Sequence, residues 1–228
     1  MIDKFVGSVA EALEGVKDGA TILVGGFGAV GQANHLIDGL IELGLRDLTV
    51  VANNAGYRQI VLARLLQLRR VRKIICSFPR IAGSTSFEDL YRAGEIELEL
   101  VPQGTLAERI RAAGAGVPAF FTATAAGTDL ARGKETREID GRTYVLENAL
   151  HGDVALVEAW RADRWGNLVY RDAGRNFNPV MATAAALTIV QTQHVAALGE
   201  IDPETIVTPG IFVNRVVHVP YGDPLIML

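Results

Sequence analysis

The sequence predicts an α/β protein: an open, mostly parallel sheet with helices on both faces and an antiparallel elaboration. Three observations carry this. Short runs rich in Val and Ile (Thr21 to Val24, Leu48 to Ala52, Lys73 to Ser77) alternate with stretches whose apolar residues recur at helical spacing. Each run stops at Gly, Asn or Pro, residues that turn a strand into the next helix. Asp140-Gly141 between Glu138-Ile139 and Thr143-Tyr144-Val145-Leu146 is the signature of a hairpin, which a purely parallel sheet does not contain.

Taken in order, Phe5, Val9, Leu13 and Val16 predict a helix over residues 5–16, ended by Lys17-Asp18-Gly19. Thr21 to Val24 suits a strand buried on both faces, and glycines at 25, 26, 28 and 31 follow it. Lacking Cβ, they let the chain turn sharply into a helix from near Asn34, marked by Leu36, Ile37, Leu40, Ile41 and Leu43 and closed by Gly44. Such a bend is expected to expose backbone N–H groups at a helix N-terminus, where a negative oxygen can be held. Strand Leu48 to Ala52, the turn Asn53-Asn54-Ala55-Gly56 and a helix over Ile60 to Leu68 repeat the unit. Strand Lys73 to Ser77 breaks at Phe78-Pro79-Arg80, where proline forbids simple continuation, and a helix over Ser86 to Arg92 ends at Gly94. Glu95 to Val101 alternates charged and apolar residues like a half-buried strand, and Pro102-Gln103-Gly104 ends it before a helix over Leu106 to Ala113.

Ala119 to Thr122 reads as a strand, and the polar residues 127–143 hold the hairpin. Strands Val154 to Ala159 and Leu168 to Tyr170 flank the turn Asp163 to Asn167. Met181 to Ala186 is expected to be helical, Leu187 to Gln191 and His194 to Leu198 extended, and Ile211 to Val219 a last strand near the surface. With 228 residues, 49% of them hydrophobic, one sizeable core and one domain are expected.

Composition excludes several classes. A net charge of −4 with dispersed Lys and Arg argues against a nucleic-acid binder. The densest basic group, Arg69 to Lys73, suits the solvated end of a helix. The lone Cys76 lies in an apolar strand, so a reducing compartment and a buried structural thiol are expected. No run approaches the roughly 18 apolar residues of a membrane span, and no basic-then-apolar leader opens the chain, so a cytoplasmic location is expected. His35, His151, His194 and His218 show no ligand spacing, and no metal site is expected. Gly26-Phe27-Gly28-Ala29-Val30-Gly31 fits G-x-G-x-x-G, but a dinucleotide site also needs an acid ending the next strand. That strand ends in Asn53-Asn54, and Asp47 precedes it, so an NAD-dependent oxidoreductase is the weaker alternative.

Three polar turns at strand ends, Gly25 to Gly31, Asn53 to Gly56 and Gln103-Gly104, are expected to converge on a ligand. With Asp18-Gly19, Ile22 to Phe27, Val101 to Arg111, Gly133-Lys134-Glu135 and Arg175-Asn176-Phe177-Asn178-Pro179, they make the chain resemble the α subunit of the family I coenzyme A transferases along its whole length. The resemblance implies a CoA-transferase/NagB-RpiA-like fold, no tightly bound cofactor, and a CoA thioester as substrate. It also implies a ping-pong transfer through a glutamate in a Ser-Glu-Asn-Gly motif on a β subunit, in an α2β2 assembly. No such motif occurs here; Leu146-Glu147-Asn148-Ala149 lacks the serine and the glycine. By the same resemblance Gln103 contributes to the oxyanion hole, and Gly25, Gly26, Phe27, Gly28, Asn53, Asn54 and Gly104 line the acyl site.

Cys76 to Arg80, Phe87 to Gly94 and Asp163 to Leu168 are most similar to the 3-oxoadipate branch of the family, which implies succinyl-CoA and that 3-oxo acid as substrates. Acetoacetate-type relatives carry Ser-Tyr-Val-Gly-Glu-Asn where this chain has Ser77-Phe78-Pro79-Arg80. Arg80 is therefore a candidate reader of the second carboxylate, with a plain surface arginine as the other reading. The chain departs from the family pattern at Ala33, at Tyr57-Arg58-Gln59 and at Ala123 and Ala125, which leaves an acetoacetate-type or a non-catalytic relative as alternatives.

Overall fold

A computed structural model describes residues 1–56, 61–80 and 84–220. The first half supplies strands β1 (Phe5–Val6), β2 (Thr21–Val24), β3 (Leu48–Val51), β4 (Val71–Cys76) and β5 (Glu97–Leu100). The second supplies β6 (Ala119–Thr122), β7 (Thr136–Ile139), β8 (Arg142–Asn148), β9 (Gly152–Asp163), β10 (Leu168–Val169), β11 (Ala185–Ala196) and β12 (Arg215–His218). Helices α1 (Val9–Ala12), α2 (Asn34–Glu42), α3 (Val61–Gln67), α4 (Ser86–Arg92), α5 (Gln103–Gly114) and α6 (Asn178–Ala182) connect them.

The main sheet runs β1-β12-β11-β9-β2-β3-β4-β5, parallel at each step, with β10 antiparallel on β9. From β2 the chain steps outward to β5, then returns to the other flank of β2 as β9 and steps away in the opposite direction. That reversal makes a switch point at the C-terminal end of β2, where sheets of this kind leave a crevice.

Period-two alternation divides the core between the two faces. Ile22, Val24, Val50, Ala52, Ile74 and Cys76 pack under Leu36, Ile37 and Leu40 of α2, Leu62, Leu65 and Leu66 of α3 and Phe87 of α4. Leu23, Val51 and Ile75 point the other way, against Leu106 and Ile110 of α5 and Met181 of α6. Cys76 is fully buried, and burial pushes its thiol up to about 12, so it packs as a small apolar residue.

A second sheet, β6-β8-β7, is the expected antiparallel elaboration. Its hairpin turns at Asp140 (φ 49°) and Gly141 (φ 73°), the left-handed pair a two-residue loop requires. An ionic chain ties it to the main sheet. Glu99 of β5 binds Lys73 of β4 and Arg109 of α5, each at 2.8 Å. Arg109 Nε donates to the Asn148 carbonyl at 2.8 Å and lies 3.9 Å from Glu147, which also binds Lys134.

Several elements differ from expectation. Residues 5–16 are not one helix: Phe5 and Val6 pair with Val216 and Val217 as a strand, and only Val9–Ala12 is helical. Ser8 stops the helix from reaching back, because its hydroxyl caps the Glu11 N–H while the Glu11 carboxylate accepts the Gly7 N–H. Phe5 and Val6 then pack on opposite faces of the sheet, as a strand demands. The last strand does not lie at the surface: β12 sits between β1 and β11, with Val216 and Val217 buried. Helix α6 begins at Asn178 rather than Met181, and the two extended segments that follow are one continuous β11. Helix α5 begins at Gln103, ahead of Leu106, because Pro102 (φ −53°) serves as its N-cap. Ile60, the expected start of α3, lies outside the described residues.

Candidate active site

At the C-terminal ends of β2, β3 and β4, a cavity of about 510 Å³ is lined by Phe27, Gly28, Asn53, Asn54, Ser77, Phe78 and Gln103. Each arrives there for a local reason. Phe27 and Val30 exchange backbone hydrogen bonds (3.0 and 3.1 Å) across a two-residue turn, which Gly28 closes at φ +64°. This leaves the Phe27 ring half exposed beside the cavity. Beyond β4, the N–H groups of Ser77 and Phe78 donate to the Asn53 carbonyl at 3.2 and 3.1 Å, extending the strand pair past its last apolar residue. Gln103, as the first residue of α5, swings its amide back so that Nε2 donates to Asn53 Oδ1 at 2.8 Å. The same oxygen accepts from Ser77 Oγ at 2.7 Å.

The chemistry of this lining is two aromatic rings, three carboxamides and the Ser77 hydroxyl, with no carboxylate and no cation among the described residues. Helix α5 adds to it, because Pro102 provides no side-chain cap and the N–H groups of the first turn carry partial positive charge. Such a site can stabilise charge developing on a carbonyl oxygen; its described lining has no carboxylate to attack that carbonyl, and the one hydroxyl, Ser77 Oγ, sits 2.7 Å from Asn53 Oδ1 with no basic side chain in that lining.

The expected site residues separate into those the fold gathers and those it does not. Phe27, Gly28, Asn53, Asn54 and Gln103 line the cavity together. Gly104 faces a neighbouring cavity of about 440 Å³ with Thr105, Glu108, Phe120, Phe121, Thr122 and Thr124. Arg80 does not line the main cavity; its side chain is 77% exposed, with Nε 3.3 Å from Glu88. Gly25 and Gly26 are buried behind the turn, where the Gly25 N–H donates to the Leu156 carbonyl and the Gly26 N–H to Asn176 Oδ1, each at 3.0 Å. Of the departures from the family pattern, Ala33 is fully buried at the N-cap of α2, and Tyr57 lies outside the described residues.

The expectation that the glycine bend presents free N–H groups at a helix N-terminus is corrected. The N–H groups of His35 and Leu36 donate to Gln191 Oε1 at 3.0 and 3.3 Å, so a side chain of β11 caps α2 from within. The Gly28 carbonyl in turn accepts from Gln32 Nε2 (3.1 Å) and Asn54 Nδ2 (3.3 Å).

Sequence reasoning missed the residues that hold the bend. Asn178 is fully buried, with Oδ1 accepting from the Glu158 N–H (3.0 Å) and Nδ2 donating to the carbonyls of Gly31 (2.8 Å) and Gly174 (2.9 Å). Asn176 Nδ2 donates to the carbonyls of Val30 (3.0 Å) and Ala173 (2.7 Å). The signal was the Arg175 to Pro179 segment itself, whose partner in space could not be named from order along the chain. Ser77 and Phe78 were seen as a strand ending and as part of a segment that separates branches of the family, but not as site residues.

On the other side of the Phe27–Val30 turn, a cavity of about 280 Å³ is lined by Val30, Gly31, Glu158, Trp160, Tyr170 and Gln193, among others. Among the described residues no group of three or more His, Cys, Asp or Glu could hold a metal ion, and no helix is long and apolar enough to cross a membrane.

Residues 6–219 match the family described as Coenzyme A transferase. The chain is 62% identical over 219 residues to the A subunit of 3-oxoadipate CoA-transferase from Pseudomonas putida, covering 96% of this chain and 95% of that one. It is 59% identical over 219 residues to the protein of the same name from Acinetobacter baylyi, covering 96% of each. An acyl-CoA transferase from E. coli O157:H7, solved as a thioester complex with CoA, superposes with a TM-score of 0.86 at 22% identity, covering 97% of this chain and 50% of that one. This chain thus spans half the length of that enzyme, and the likeness speaks for the fold. The match across almost the whole sequence, with identities near 60% to subunits of such enzymes, places the chain in one family: it belongs to the coenzyme A transferases.

Proposed function

We propose that this chain is the α subunit of a heteromeric 3-oxoacid CoA-transferase, assembled as α2β2, that moves CoA from succinyl-CoA to 3-oxoadipate. The observation that supports it is the cavity at the switch point, which gathers amide donors around Gln103 and has no carboxylate in its described lining. The attacking group is then a glutamate of the partner subunit.

In this mechanism the partner's carboxylate oxygen adds to the thioester carbonyl, and the C=O electron pair moves onto oxygen. Gln103 Nε2 and the first turn of α5 face that negative charge. Collapse breaks the C–S bond, releases CoA thiolate and leaves an acyl–glutamyl anhydride. The thiolate adds to the glutamyl carbonyl and expels succinate, giving a glutamyl–CoA thioester. The 3-oxo acid then reverses these steps. Phe27 and Phe78 flank the acyl group, and Arg80 is assigned to the second carboxylate of 3-oxoadipate. Each preorganised donor contributes about 3 kcal/mol to such a transition state.

The test compares the chain alone with the chain co-expressed with a partner carrying a Ser-Glu-Asn-Gly motif. Transfer from succinyl-CoA is expected only in the assembled protein, and faster to 3-oxoadipate than to acetoacetate. Robust exchange by the isolated chain would refute the division of labour, and equal rates on the two acids would refute the substrate.

A further inference from the structure

We propose that Ser77 is a positioning residue for the transfer reaction. Its hydroxyl orients the Asn53 carboxamide so that amide N–H groups, rather than an oxygen, face the thioester carbonyl. This rests on the proposed role of Gln103 in holding the oxyanion.

The hydrogen-bond geometry around Asn53 assigns the one hydroxyl hydrogen. The main-chain oxygen of Asn53 already accepts the N–H groups of Ser77 and Phe78, at 3.2 and 3.1 Å. Ser77 Oγ lies 3.0 Å from that oxygen and 2.7 Å from Asn53 Oδ1. A serine hydroxyl has a single hydrogen to give, and the carboxamide oxygen is both nearer and less occupied. Gln103 Nε2 donates to the same Oδ1 at 2.8 Å. Two donors converging on Oδ1 fix which way the amide faces.

The consequence falls on the cavity, which both amides line. Gln103 Nε2 commits one of its two hydrogens to Asn53 and keeps the other. Asn53 is only 3% exposed, and the hydrogen bonds of its carboxamide to the described residues both fall on Oδ1, which leaves Nδ2 to the cavity. Gln103 Nε2 and Asn53 Nδ2, together with the second hydrogen of Asn54 Nδ2, whose first goes to the Gly28 carbonyl, are therefore the amide donors left for a developing oxyanion. Without the serine hydroxyl, the two carboxamides can flip together. Asn53 Nδ2 then donates to Gln103 Oε1, one internal bond survives, and Asn53 Oδ1 takes the place of a donor. An acceptor there repels the oxyanion. The penalty grows with the charge on that oxygen, so it belongs to the transition state more than to bound substrate.

In the protein assembled with its partner subunit, kcat and KM for succinyl-CoA are measured for Ser77→Ala, Ser77→Thr, Gln103→Ala and the Ser77→Ala/Gln103→Ala pair. Ser77→Ala is expected to lower kcat about tenfold to a hundredfold, up to the loss of one oxyanion donor, with KM within about twofold. Ser77→Thr, which keeps the hydroxyl, restores most of the rate. The pair falls no more than about threefold below Gln103→Ala alone, since coupled residues lose less than the sum. If Ser77→Ala does not assemble, Ser77→Cys, similar in size and a weak donor, must show the same kcat loss. Wild-type kcat in Ser77→Ala or Ser77→Cys beside a slow Gln103→Ala overturns the role of Ser77 and leaves the proposed function standing. Equal losses in the alanine and threonine variants, or full additivity, also overturn it. Undiminished transfer by Gln103→Ala overturns the proposed function itself.

Discussion

Arg80 and Glu88 form a loose pair, 3.3 Å apart, with the arginine 77% exposed, an arrangement that contributes little to stability. The guanidinium is thus free to exchange Glu88 for a substrate carboxylate at small cost. Because no cation lines the cavity among the described residues, a second carboxylate there needs one from its rim or from the partner. Arg80→Ala is expected to lower the kcat/KM ratio of 3-oxoadipate over acetoacetate about tenfold, the worth of a charged hydrogen bond, and to leave thermal unfolding unmoved. An unchanged ratio assigns Arg80 to the surface. At this scale the sequence disclosed residue types but not their neighbours. Gln103 was visible as a strand-end amide, whereas Ser77 became visible only when Asn53 was seen to accept from both.

The glycine bend and the segment Arg175 to Pro179 form one unit, although about 150 residues separate them in the chain. A Cβ on Gly25 would stand 1.8 Å from Asn178 Oδ1 and 2.6 Å from its Cγ, so that glycine makes room for a buried amide. The glycines of the G-x-G-x-x-G pattern answer to the same bend: all three have positive φ (118°, 64° and 70°), and a Cβ would stand 2.4 Å from Gln32 Cγ on Gly26 and 2.6 Å from the Gly174 oxygen on Gly31, so backbone conformation and packing require them without a nucleotide's phosphate. Gly25→Ala must displace Asn178 and break its bonds to Glu158, Gly31 and Gly174, and is expected to cost about 3 kcal/mol in urea unfolding. Were Gly25 only a wall for ligand, the variant would lose substrate affinity and keep its midpoint. Helix and strand identities were legible wherever both faces of a strand are buried, as in β2 to β4. They were misread at residues 5–16, where four apolar positions fit a helical period but a serine cap and a neighbouring β12 decided otherwise.

Across the whole molecule, the ionic chain Lys73–Glu99–Arg109 links the main sheet to α5 and, through Arg109, to the smaller sheet. Burial alone would raise the Glu99 carboxyl, but the hydrogen bonds from Lys73 and Arg109 outweigh it and hold the group below its ordinary 4.5. A carboxyl depressed on folding contributes stability that is complete above 4.5 and is lost as pH falls through the depressed folded value. Urea midpoints from pH 7 to pH 3 are therefore expected to fall below about pH 4.5 and to do so less steeply in Glu99→Gln, which starts lower at pH 7. An identical acid limb in the variant would remove Glu99 as a cause. By itself the sequence determined the alternation of strands and helices, the hairpin at Asp140-Gly141 and the family, because these rest on local periodicity, turn chemistry and blocks of contiguous residues. Only the tertiary structure decided the strand order, the packing of Asn176 and Asn178 into the bend, and the meeting of Ser77, Asn53 and Gln103. Those depend on which strand ends lie side by side, and adjacency in a sheet is set by the packing of both faces together, a property no single segment carries.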